Sequence, residues 1–268
     1  MKISVVIPAY NEEATIAQLL DLVVSRVHDI KEVIVIDDGS VDNTRQICLD
    51  YEKKNPLIHY YPQSRNMGKT EALKAGIQQS TGEIVIIQDA DLEYDPVEIN
   101  EVVAPIIEGK ADVVLGSRFL VRRASRSLYF RHFMANKLIT FLSNLLTDLN
   151  LTDVETCYKA FRGEIIRNMI ITSKRFGFEV EVIAKVAKLK CRVYEVPISY
   201  YGRSYEEGKK IGFKDGLMAI YYILKYNIFT SKKASFKNIL PARDGNLAVI
   251  GLTDCTQKND QNKEVYDE

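Results

Sequence analysis

Four carboxylates follow one short apolar run in the sequence VIIQDADLEYDP. Asp89 and Asp91 are two residues apart, so in an extended backbone they point the same way, and Glu93 joins them if the strand continues. Convergent carboxylates repel one another unless a cation lies between them, and oxygen ligands of this kind suit Mg²⁺ or Mn²⁺. The stretch therefore predicts a divalent metal site. The alternative, that the acids cap a following helix, holds for Asp95, which precedes Pro96 as an N-cap precedes a proline at the first helical position.

A second acidic pair and one lysine could also meet a ligand. Asp37 and Asp38 end the apolar run VIVIDD, and Gly39 after them permits a tight turn, although Asp-Gly is a turn dipeptide in any context. Lys69 in RNMGKTEAL either meets a phosphate or is a solvated lysine at a helix start. Both interpretations remain open.

Two basic clusters stand out in a chain that has no net charge. The segment GSRFLVRRASRSLYFRH interleaves apolar residues with five arginines: Arg118, Arg122, Arg123, Arg126 and Arg131. Guanidinium groups bind phosphate through two parallel hydrogen bonds, so this segment predicts an anion site, unless it is a solvated loop paired with acids elsewhere. The second cluster, YYGRSYEEGKKIGFKDG, places Arg203, Lys209 and Lys210 among glycines and predicts a lid over phosphates.

The elements that must position these residues follow an alternating pattern. ISVVIP precedes EEATIAQLLDLVVSRV, EVIVIDD precedes VDNTRQICLDYEKK, and EIVIIQDAD precedes DPVEINEVVAPIIEG. This alternation predicts βαβ units and an α/β fold, with a Rossmann-like, mostly parallel sheet flanked by helices. Ligands of such sheets bind at the carboxyl ends of the strands. The polar segments PAYNEE, DDGS and DAD follow three strands, so they should share that edge.

The C-terminal half predicts amphipathic helices. RHFMANKLITFLSNLLTDLNL carries apolar residues at helical spacing, and GFKDGLMAIYYILKYNIF forms a second apolar helix. The thirteen residues LMAIYYILKYNIF reach about 20 Å as a helix, so they can lie on a membrane but not cross a hydrocarbon layer of about 30 Å. Core packing or dimerisation explains the same pattern. We predict one domain over residues 1–230 and a polar, flexible tail over 231–268.

Composition excludes several classes of protein. The 268 residues include 36 basic and 36 acidic side chains, so no overall field favours a nucleic-acid partner. The four cysteines form no CxxC pair, which indicates a reducing cytoplasm rather than a disulfide framework. The apolar run near the N-terminus is too short for a signal peptide, and no stretch approaches the roughly 20 apolar residues of a membrane span.

The ordered set of motifs resembles the family-two glycosyltransferases of the glycosyltransferase-A fold. It consists of VVIPAYNEE, VIDDGSVDNT, NMGKTEALKAG, TGEIVIIQDADLEYDP, DVVLGSRF, TDVETCYKAF and VPISYYGRSYEEGKKIGFKDG, and it covers roughly residues 2 to 229. Within that family the chain is most similar to dolichyl-phosphate mannose synthases and bacterial polyprenyl-phosphate glycosyltransferases. Two departures are GKTEAL, where the mannose synthases commonly carry Gly-Lys-Gly-x-Ala, and the lack of a C-terminal membrane-spanning pair.

The resemblance implies a role for each motif residue. Pro8, Tyr10 and Glu12, with Asp37 and Asp38, match positions that bind the base and ribose of a nucleotide sugar. Asp89 and Asp91 match the DxD motif that holds Mg²⁺ or Mn²⁺ on the donor diphosphate, with Glu93 as a further ligand. The resemblance also makes residues 1–230 a catalytic domain with an acceptor region at about 118–160. It assigns Arg118 and Arg131 to the acceptor phosphate, and Arg203, Lys209 and Lys210 to the lid over the donor.

The implied reaction moves a hexose from GDP-mannose or a UDP-sugar to a polyprenyl or dolichyl phosphate with inversion. A phosphate monoester has a second pKa of about 6 and needs no general base, whereas a hydroxyl acceptor, the alternative, requires one. Asp153 in TDVETC is the candidate, as a base, as a group that orients an arginine, or only as a helix cap. The expected location is the cytoplasmic, inner face of a membrane, bound peripherally or through a membrane partner protein.

Two further classes of protein remain as alternatives. A non-catalytic nucleotide-sugar-binding or scaffold protein would have no need of both an intact DxD motif and the nucleotide motifs. A nucleotidyltransferase would share the base-binding layout of the sheet. The sequence has no glycine-rich, lysine-ended loop near its N-terminus for a triphosphate, which disfavours that reading.

Overall fold

The computed structural model describes residues 1–120, 126, 129–203, 206, 212–241 and 247–249. A seven-stranded sheet forms the centre, with strands β1 (Ile3–Ala9), β2 (Ile30–Asp37), β3 (Ile58–Pro62), β4 (Ile84–Ile87), β5 (Val113–Ser117), β6 (Lys159–Arg162) and β7 (Val193–Pro197). Their order across the sheet is β3-β2-β1-β4-β6-β5-β7. The paired strands are parallel except for β6, which runs antiparallel to β4 and β5. The mostly parallel α/β sheet predicted from the sequence is confirmed.

Helices follow most of the strands. They are α1 (Ile16–Arg26), α2 (Thr44–Lys54), α3 (Lys69–Gln79), α4 (Ile99–Ile107), α5 (Phe130–Thr147), α6 (Gly163–Asn168), α7 (Phe178–Leu189) and α8 (Phe213–Ile228). Every residue of β4, with the sequence IVII, is buried, which is typical of a strand covered on both faces. The uninterrupted β-branched runs of the sequence therefore correspond to the centre of the core.

The acidic stretch after β4 differs from its prediction in one respect. The expectation that the strand continues through Asp91 is wrong, because β4 ends at Ile87 and the chain bends at Asp91. The backbone N–H of Glu93 donates to Oδ1 of Asp91 at 3.3 Å. A turn beyond the strand, rather than the alternation of an extended strand, therefore places these acids.

The helix that follows begins as the sequence predicts. Asp95 is the N-cap of a one-turn 3₁₀ helix, Pro96–Glu98, that leads into α4, and its Oδ1 accepts a hydrogen bond from the backbone N–H of Val97 at 3.0 Å. Asp95 is thereby used in capping, which separates it from the acids before it.

Helices α5 and α8 pack against each other. In α5 the buried residues are Ile139, Thr140 and Ser143, whereas much of the predicted apolar stripe is exposed. In α8 one side is buried against the core and the other is exposed. The exposed apolar residues of the two helices are Phe130, Met134, Leu138, Phe141, Leu145, Leu146, Leu217, Met218, Tyr221, Leu224 and Ile228, which we call the apolar face.

A short helix and a hairpin follow α8. They are α9 (Lys232–Ser235) and the antiparallel pair β8 (Ile239–Pro241) and β9 (Leu247–Val249). The predicted flexible tail falls largely on residues 242–246 and 250–268, which lie outside the described residues, so the division at residue 230 stays a prediction. Among the described residues, no helix combines the length and apolar character needed to cross a bilayer.

Candidate active site

A cavity of about 930 Å³ opens at the carboxyl edge of the sheet. Most of the site residues predicted from the sequence line it: Pro8, Tyr10, Glu12, Asp38, Lys69, Asp89, Asp91, Glu93, Arg118, Arg131 and Arg203. Asp37 and Asp153 lie behind its wall and do not line it. Lys209 and Lys210, like Arg122 and Arg123, fall outside the described residues. The fold thus brings eleven of the predicted residues to one cavity.

Asp38 fixes the loop that leads into α3. Its two carboxylate oxygens accept hydrogen bonds from the backbone N–H groups of Met67 at 2.7 Å and Gly68 at 2.8 Å. Gly68 has a φ of +95°, a backbone conformation that residues other than glycine rarely adopt. Burial raises the pKa of Asp38 despite these two hydrogen bonds. The carboxylate therefore shapes the cavity wall at the start of α3.

Asp37 serves the local structure. Oδ1 of Asp37 accepts from the backbone N–H of Ser40 at 2.8 Å, and Oδ2 accepts from the hydroxyl of Tyr60 at 2.6 Å. Gly39 follows with a φ of +75°, and a side chain there would meet the backbone of Arg65. Both oxygens of Asp37 thus hold the turn after β2, and its predicted contact with a nucleotide stays a prediction.

Arg203 lies among the acids that follow β4. Its Nη2 is 2.5 Å from Oδ2 of Asp91, and its Nε and backbone N–H each donate to Oε1 of Glu93 at 3.0 Å. The other oxygen of Glu93 accepts from the hydroxyl of Tyr200 at 2.8 Å. A guanidinium group therefore lies against two of the three acids at which the sequence predicts a metal.

Asp91 remains close to other negatively charged side chains in spite of its contact with Arg203. Burial raises the pKa of Asp91 to about 7, and the charges of Asp89 and Glu93 add to that rise. No group of three or more histidine, cysteine, aspartate or glutamate side chains in the described part of the chain is arranged to hold a metal ion. Two carboxylates are enough for Mg²⁺ or Mn²⁺ when water and a substrate phosphate complete the shell, so the donor set of Asp89 and Asp91 fits such an ion.

Lys69, the first residue of α3, joins two acids. Its Nζ lies 2.8 Å from Oδ1 of Asp89 and 3.2 Å from Oε1 of Glu179, which comes from the first turn of α7. The side chain of Lys69 is only 18% exposed, so the alternative of a solvated lysine is wrong. The neighbouring carboxylates outweigh burial and hold the pKa of Lys69 well above its usual value. Lys69 is therefore a permanent cation in the cavity wall.

Arg118 and Asp153 form a buried ion pair. Nε and Nη2 of Arg118 lie 2.6 and 2.7 Å from the two oxygens of Asp153, and the backbone N–H of Arg118 adds a third hydrogen bond at 3.1 Å. Asp153 is fully buried, and the guanidinium stacks over the ring of Tyr200 at 5.1 Å. The carboxylate of Asp153 is thus occupied by Arg118, which supports the orienting role among those that the sequence left open.

Arg131 differs from Arg118. It lies in the first turn of α5, is exposed, lines the cavity, and has no ion pair among the residues that the structure describes. Two apolar-face residues, Leu138 of α5 and Leu217 of α8, line the same cavity while each is about half exposed. An exposed guanidinium group, unpaired as far as the described residues go, and an apolar rim therefore meet at the mouth of the cavity.

Glu155 and Glu179 are two acidic cavity residues among those that the sequence analysis missed. Glu155 follows Asp153 by two residues in TDVETC, and Glu179 lies in GFEVEV at the start of α7. For Glu155 the adjacent candidate base was a usable signal. A first-turn acid such as Glu179 is common in any helix, so its sequence gave no comparable signal.

Comparison with known proteins gives a family match and a relative. The model for "Glycosyl transferase family 2" matches residues 4–170. Undecaprenyl-phosphate 4-deoxy-4-formamido-L-arabinose transferase of Proteus mirabilis (strain HI4320) is 33% identical over 213 residues, which are 78% of this chain and 62% of that protein. The chain thus spans less than two thirds of the length of this relative.

Solved structures share the fold. Glucosyl-3-phosphoglycerate synthase from Mycobacterium tuberculosis, in complex with Mg²⁺ and UDP, matches with a TM-score of 0.66 and 20% identity, over 92% of this chain and 86% of that one. The complex of that protein with Mn²⁺, UDP-glucose and phosphoglyceric acid matches with a TM-score of 0.64 and 19% identity over the same shares. These matches confirm the predicted glycosyltransferase-A fold.

Proposed function

The chain belongs to glycosyl transferase family 2, and from this premise we propose that it transfers a hexose from a nucleotide diphosphate sugar to a polyprenyl phosphate. The observation that carries the proposal is the arrangement of one cavity, with acids and Lys69 in its wall and Arg131 and apolar side chains at its mouth. The relative from Proteus mirabilis supports the proposal, because it is named as a transferase of a sugar with undecaprenyl phosphate.

The donor would lie against the carboxyl ends of β1, β2 and β4. Tyr10 and Glu12 after β1 and Asp38 after β2 line this part of the cavity, where α/β sheets bind nucleotides. Asp89 and Asp91 would hold Mg²⁺ or Mn²⁺, ions that occur together with UDP or UDP-glucose in the Mycobacterium tuberculosis structures. A bound divalent ion would offset the negative charge that develops on the departing diphosphate.

The acceptor would place its phosphate at Arg131 and its chain on the apolar face. Arg131 is exposed and unpaired among the described residues, so it is available to bind a phosphate through two hydrogen bonds. Leu138 and Leu217 continue the cavity onto the apolar face, which matches a ligand with an anionic head and an apolar chain. A soluble sugar acceptor would have no use for that rim.

The nucleophile would be an acceptor phosphate oxygen, which attacks the anomeric carbon as the bond from that carbon to the diphosphate breaks, with inversion. A phosphate with a second pKa of about 6 is already ionised at neutral pH and needs no base. The binding of Asp153 to Arg118 supports this assignment, since Asp153 would be the base for a hydroxyl acceptor. Arg118, held rigid by Asp153, would then orient the acceptor side of the cavity.

The same geometry supports peripheral contact with a membrane. The apolar face carries Phe130, Phe141 and Leu145, which are 73%, 61% and 67% exposed. Large exposed apolar surfaces on a globular domain mark sites of contact with membranes or other proteins. A polyprenyl chain resides in a bilayer, so an enzyme that uses its phosphate must approach the bilayer surface.

A sugar-transfer assay tests the proposal. Radiolabelled GDP-mannose, UDP-glucose and UDP-N-acetylglucosamine are each incubated with undecaprenyl or dolichyl phosphate and Mg²⁺ or Mn²⁺. We expect label in the organic phase for one donor and its loss in Asp91→Ala. Parallel reactions contain soluble sugars in place of the lipid phosphate. If no lipid phosphate accepts the label while a soluble sugar does, the hydroxyl-acceptor alternative replaces the proposal.

A further inference from the structure

An arginine outside all the motifs named above lines the cavity. Arg175 lies in the turn before α7 and is exposed, and its side chain has no ion pair or hydrogen bond with any residue that the structure describes. Its φ is +55°, in the left-handed region that residues with a Cβ atom rarely adopt. Such strained positions persist where neighbouring structure holds them, and they cluster at ligand sites. An exposed cation at a strained position in a cavity wall is therefore a candidate for ligand binding.

The fold ties Arg175 to the start of α3. Its backbone carbonyl accepts hydrogen bonds from the backbone N–H of Thr70 at 3.1 Å and from the hydroxyl of Thr70 at 2.7 Å. Gly68 packs against it, since a Cβ atom at Gly68 would lie 3.4 Å from Cα of Arg175 and 3.6 Å from its Cγ. Asp38 in turn holds the backbone N–H of Gly68 at 2.8 Å. Arg175 is thereby fixed on the side of the cavity where β2 ends.

The charges that line the cavity leave an anionic ligand few partners. Eight acids and five bases line it. Three of the bases are already paired with acids, namely Lys69, Arg118 and Arg203. Arg131 and Arg175 have no ion pair within the described part of the chain. A ligand with several negative charges would be repelled by the surplus of acids unless cations such as these meet it.

The two unpaired arginines lie on different parts of the cavity wall. Arg131 is in the first turn of α5, next to the apolar rim, where the acceptor phosphate is proposed to bind. Arg175 packs on Gly68, and the next residue, Lys69, contacts Asp89 at 2.8 Å. Asp89 is one of the two acids proposed to hold the metal on the donor diphosphate. Arg175 is therefore a neighbour of the donor phosphates rather than of the acceptor phosphate.

We propose that the guanidinium group of Arg175 binds the diphosphate of the donor nucleotide. This inference rests on the proposed function, which it deepens by naming a further donor-binding residue. A guanidinium group matches phosphate oxygens with two parallel hydrogen bonds, whereas a lysine offers only a point charge. The same contact offsets the negative charge that grows on the diphosphate as its bond to the sugar breaks.

The backbone conformation of Arg175 dictates the choice of variants. Arg175→Asn removes the guanidinium group at a φ that asparagine adopts more readily than most residues, so the turn should persist. Arg175→Lys keeps a charge without the planar fork. The matched control is Lys190→Asn, because Lys190 is an exposed cation with a φ of +57° that does not line the cavity.

Calorimetry on the full chain with Mn²⁺ measures the Kd of UDP and GDP, and displacement titrations measure that of uridine and guanosine. The informative quantity is the ratio of the Kd of the nucleoside to that of its diphosphate, which isolates the contribution of the phosphates. Arg175→Asn should lower this ratio about tenfold and leave the Kd of the nucleoside unchanged. Arg175→Lys should lower it about threefold. Lys190→Asn should not change it.

An unchanged ratio in Arg175→Asn would overturn the inference. A loss of affinity that is equal for nucleoside and diphosphate would also overturn it, because the contact would then be with the base or ribose, or the loop at Gly68 would have moved. These measurements need no acceptor. An Arg175-dependent ratio in a protein that transfers nothing to lipid phosphate would refute the proposed acceptor and support the diphosphate contact. A wild type that binds neither UDP nor GDP would overturn the proposed donor and this inference together.

Discussion

Nη2 of Arg203 lies 2.5 Å from Oδ2 of Asp91, inside the acidic group that the sequence assigns to a divalent metal. The same guanidinium contacts Glu93 and approaches Glu12 at 3.8 Å. Without Arg203, these half-buried acids would face one another with no cation from the described residues between them. An ion that binds at Asp91 must therefore compete with Arg203 for the carboxylate.

Removal of Arg203 should strengthen metal binding in the absence of donor. We expect Arg203→Ala to bind Mn²⁺ about tenfold more tightly than wild type, because the carboxylate of Asp91 no longer has to release a guanidinium group, a difference of about 1.4 kcal/mol. Titration followed by the electron paramagnetic resonance of free Mn²⁺ measures the Kd. Arg45→Ala, which removes an exposed arginine from α2, is the control. Equal affinities in Arg203→Ala and wild type would contradict the competition.

Asp153 should matter to the fold as well as to turnover. In Asp153→Asn the buried guanidinium of Arg118 loses its counter-ion, and breaking a buried pair from one side costs about 3–5 kcal/mol. Urea denaturation measures the loss in the free energy of unfolding. The double variant Arg118→Gln with Asp153→Asn should recover part of it, because no uncompensated charge remains. An Asp153→Asn protein of unchanged stability but no turnover would instead indicate a base.

Much of the fold and of the site could be predicted from the sequence, because strand ends concentrate polar residues at one edge. Asp38 follows β2, whereas Asp89 and Asp91 follow β4, and the alternation of apolar runs was enough to place all three at that edge. Partners were harder to predict. Arg118 with Asp153 and Arg203 with Asp91 join residues 35 and 112 positions apart, and a single sequence does not show which of several arginines meets which acid.

The apolar stripe of α5 shows a different limit. Its helical spacing predicted an amphipathic helix. Periodicity alone does not show whether the apolar face of such a helix packs against the protein core or contacts a membrane. Ile139 and Ser143 are buried, whereas Leu138 and Leu145 of the stripe are exposed.

The stability of the protein should depend on pH through Glu155. Burial, followed by the charge of Glu179, raises the pKa of Glu155 to about 7, although Lys159 and Arg118 act in the opposite direction. The folded protein therefore keeps this proton up to about pH 7, whereas the unfolded chain releases it near the ordinary value of 4.5. Stability contributed by the protonated group is present below pH 4.5 and is lost as the pH rises through about 7.

Glu155→Gln removes that dependence. Between pH 5 and pH 8 the wild type should lose up to about 3 kcal/mol of unfolding free energy that the variant does not lose. Urea denaturation at four pH values measures it. Glu108→Gln, at an exposed glutamate paired with Lys110, should show no such rise. Parallel pH profiles for wild type and Glu155→Gln would show that Glu155 ionises normally in the folded protein.

The apolar face should bind a bilayer through exposed side chains of α5. Phe141→Asp combined with Leu145→Asp places two charges on residues that are 61% and 67% exposed, so the fold should tolerate both while membrane affinity falls at least about fivefold. Flotation with liposomes of phosphatidylethanolamine and phosphatidylglycerol measures the bound fraction. Val41→Asp, at an apolar residue that is 85% exposed outside the two helices, is the matched control.

Undiminished flotation of the folded double variant would contradict the membrane assignment. A shift from dimer to monomer in sedimentation, with flotation unchanged, would instead give this face to a second copy of the chain.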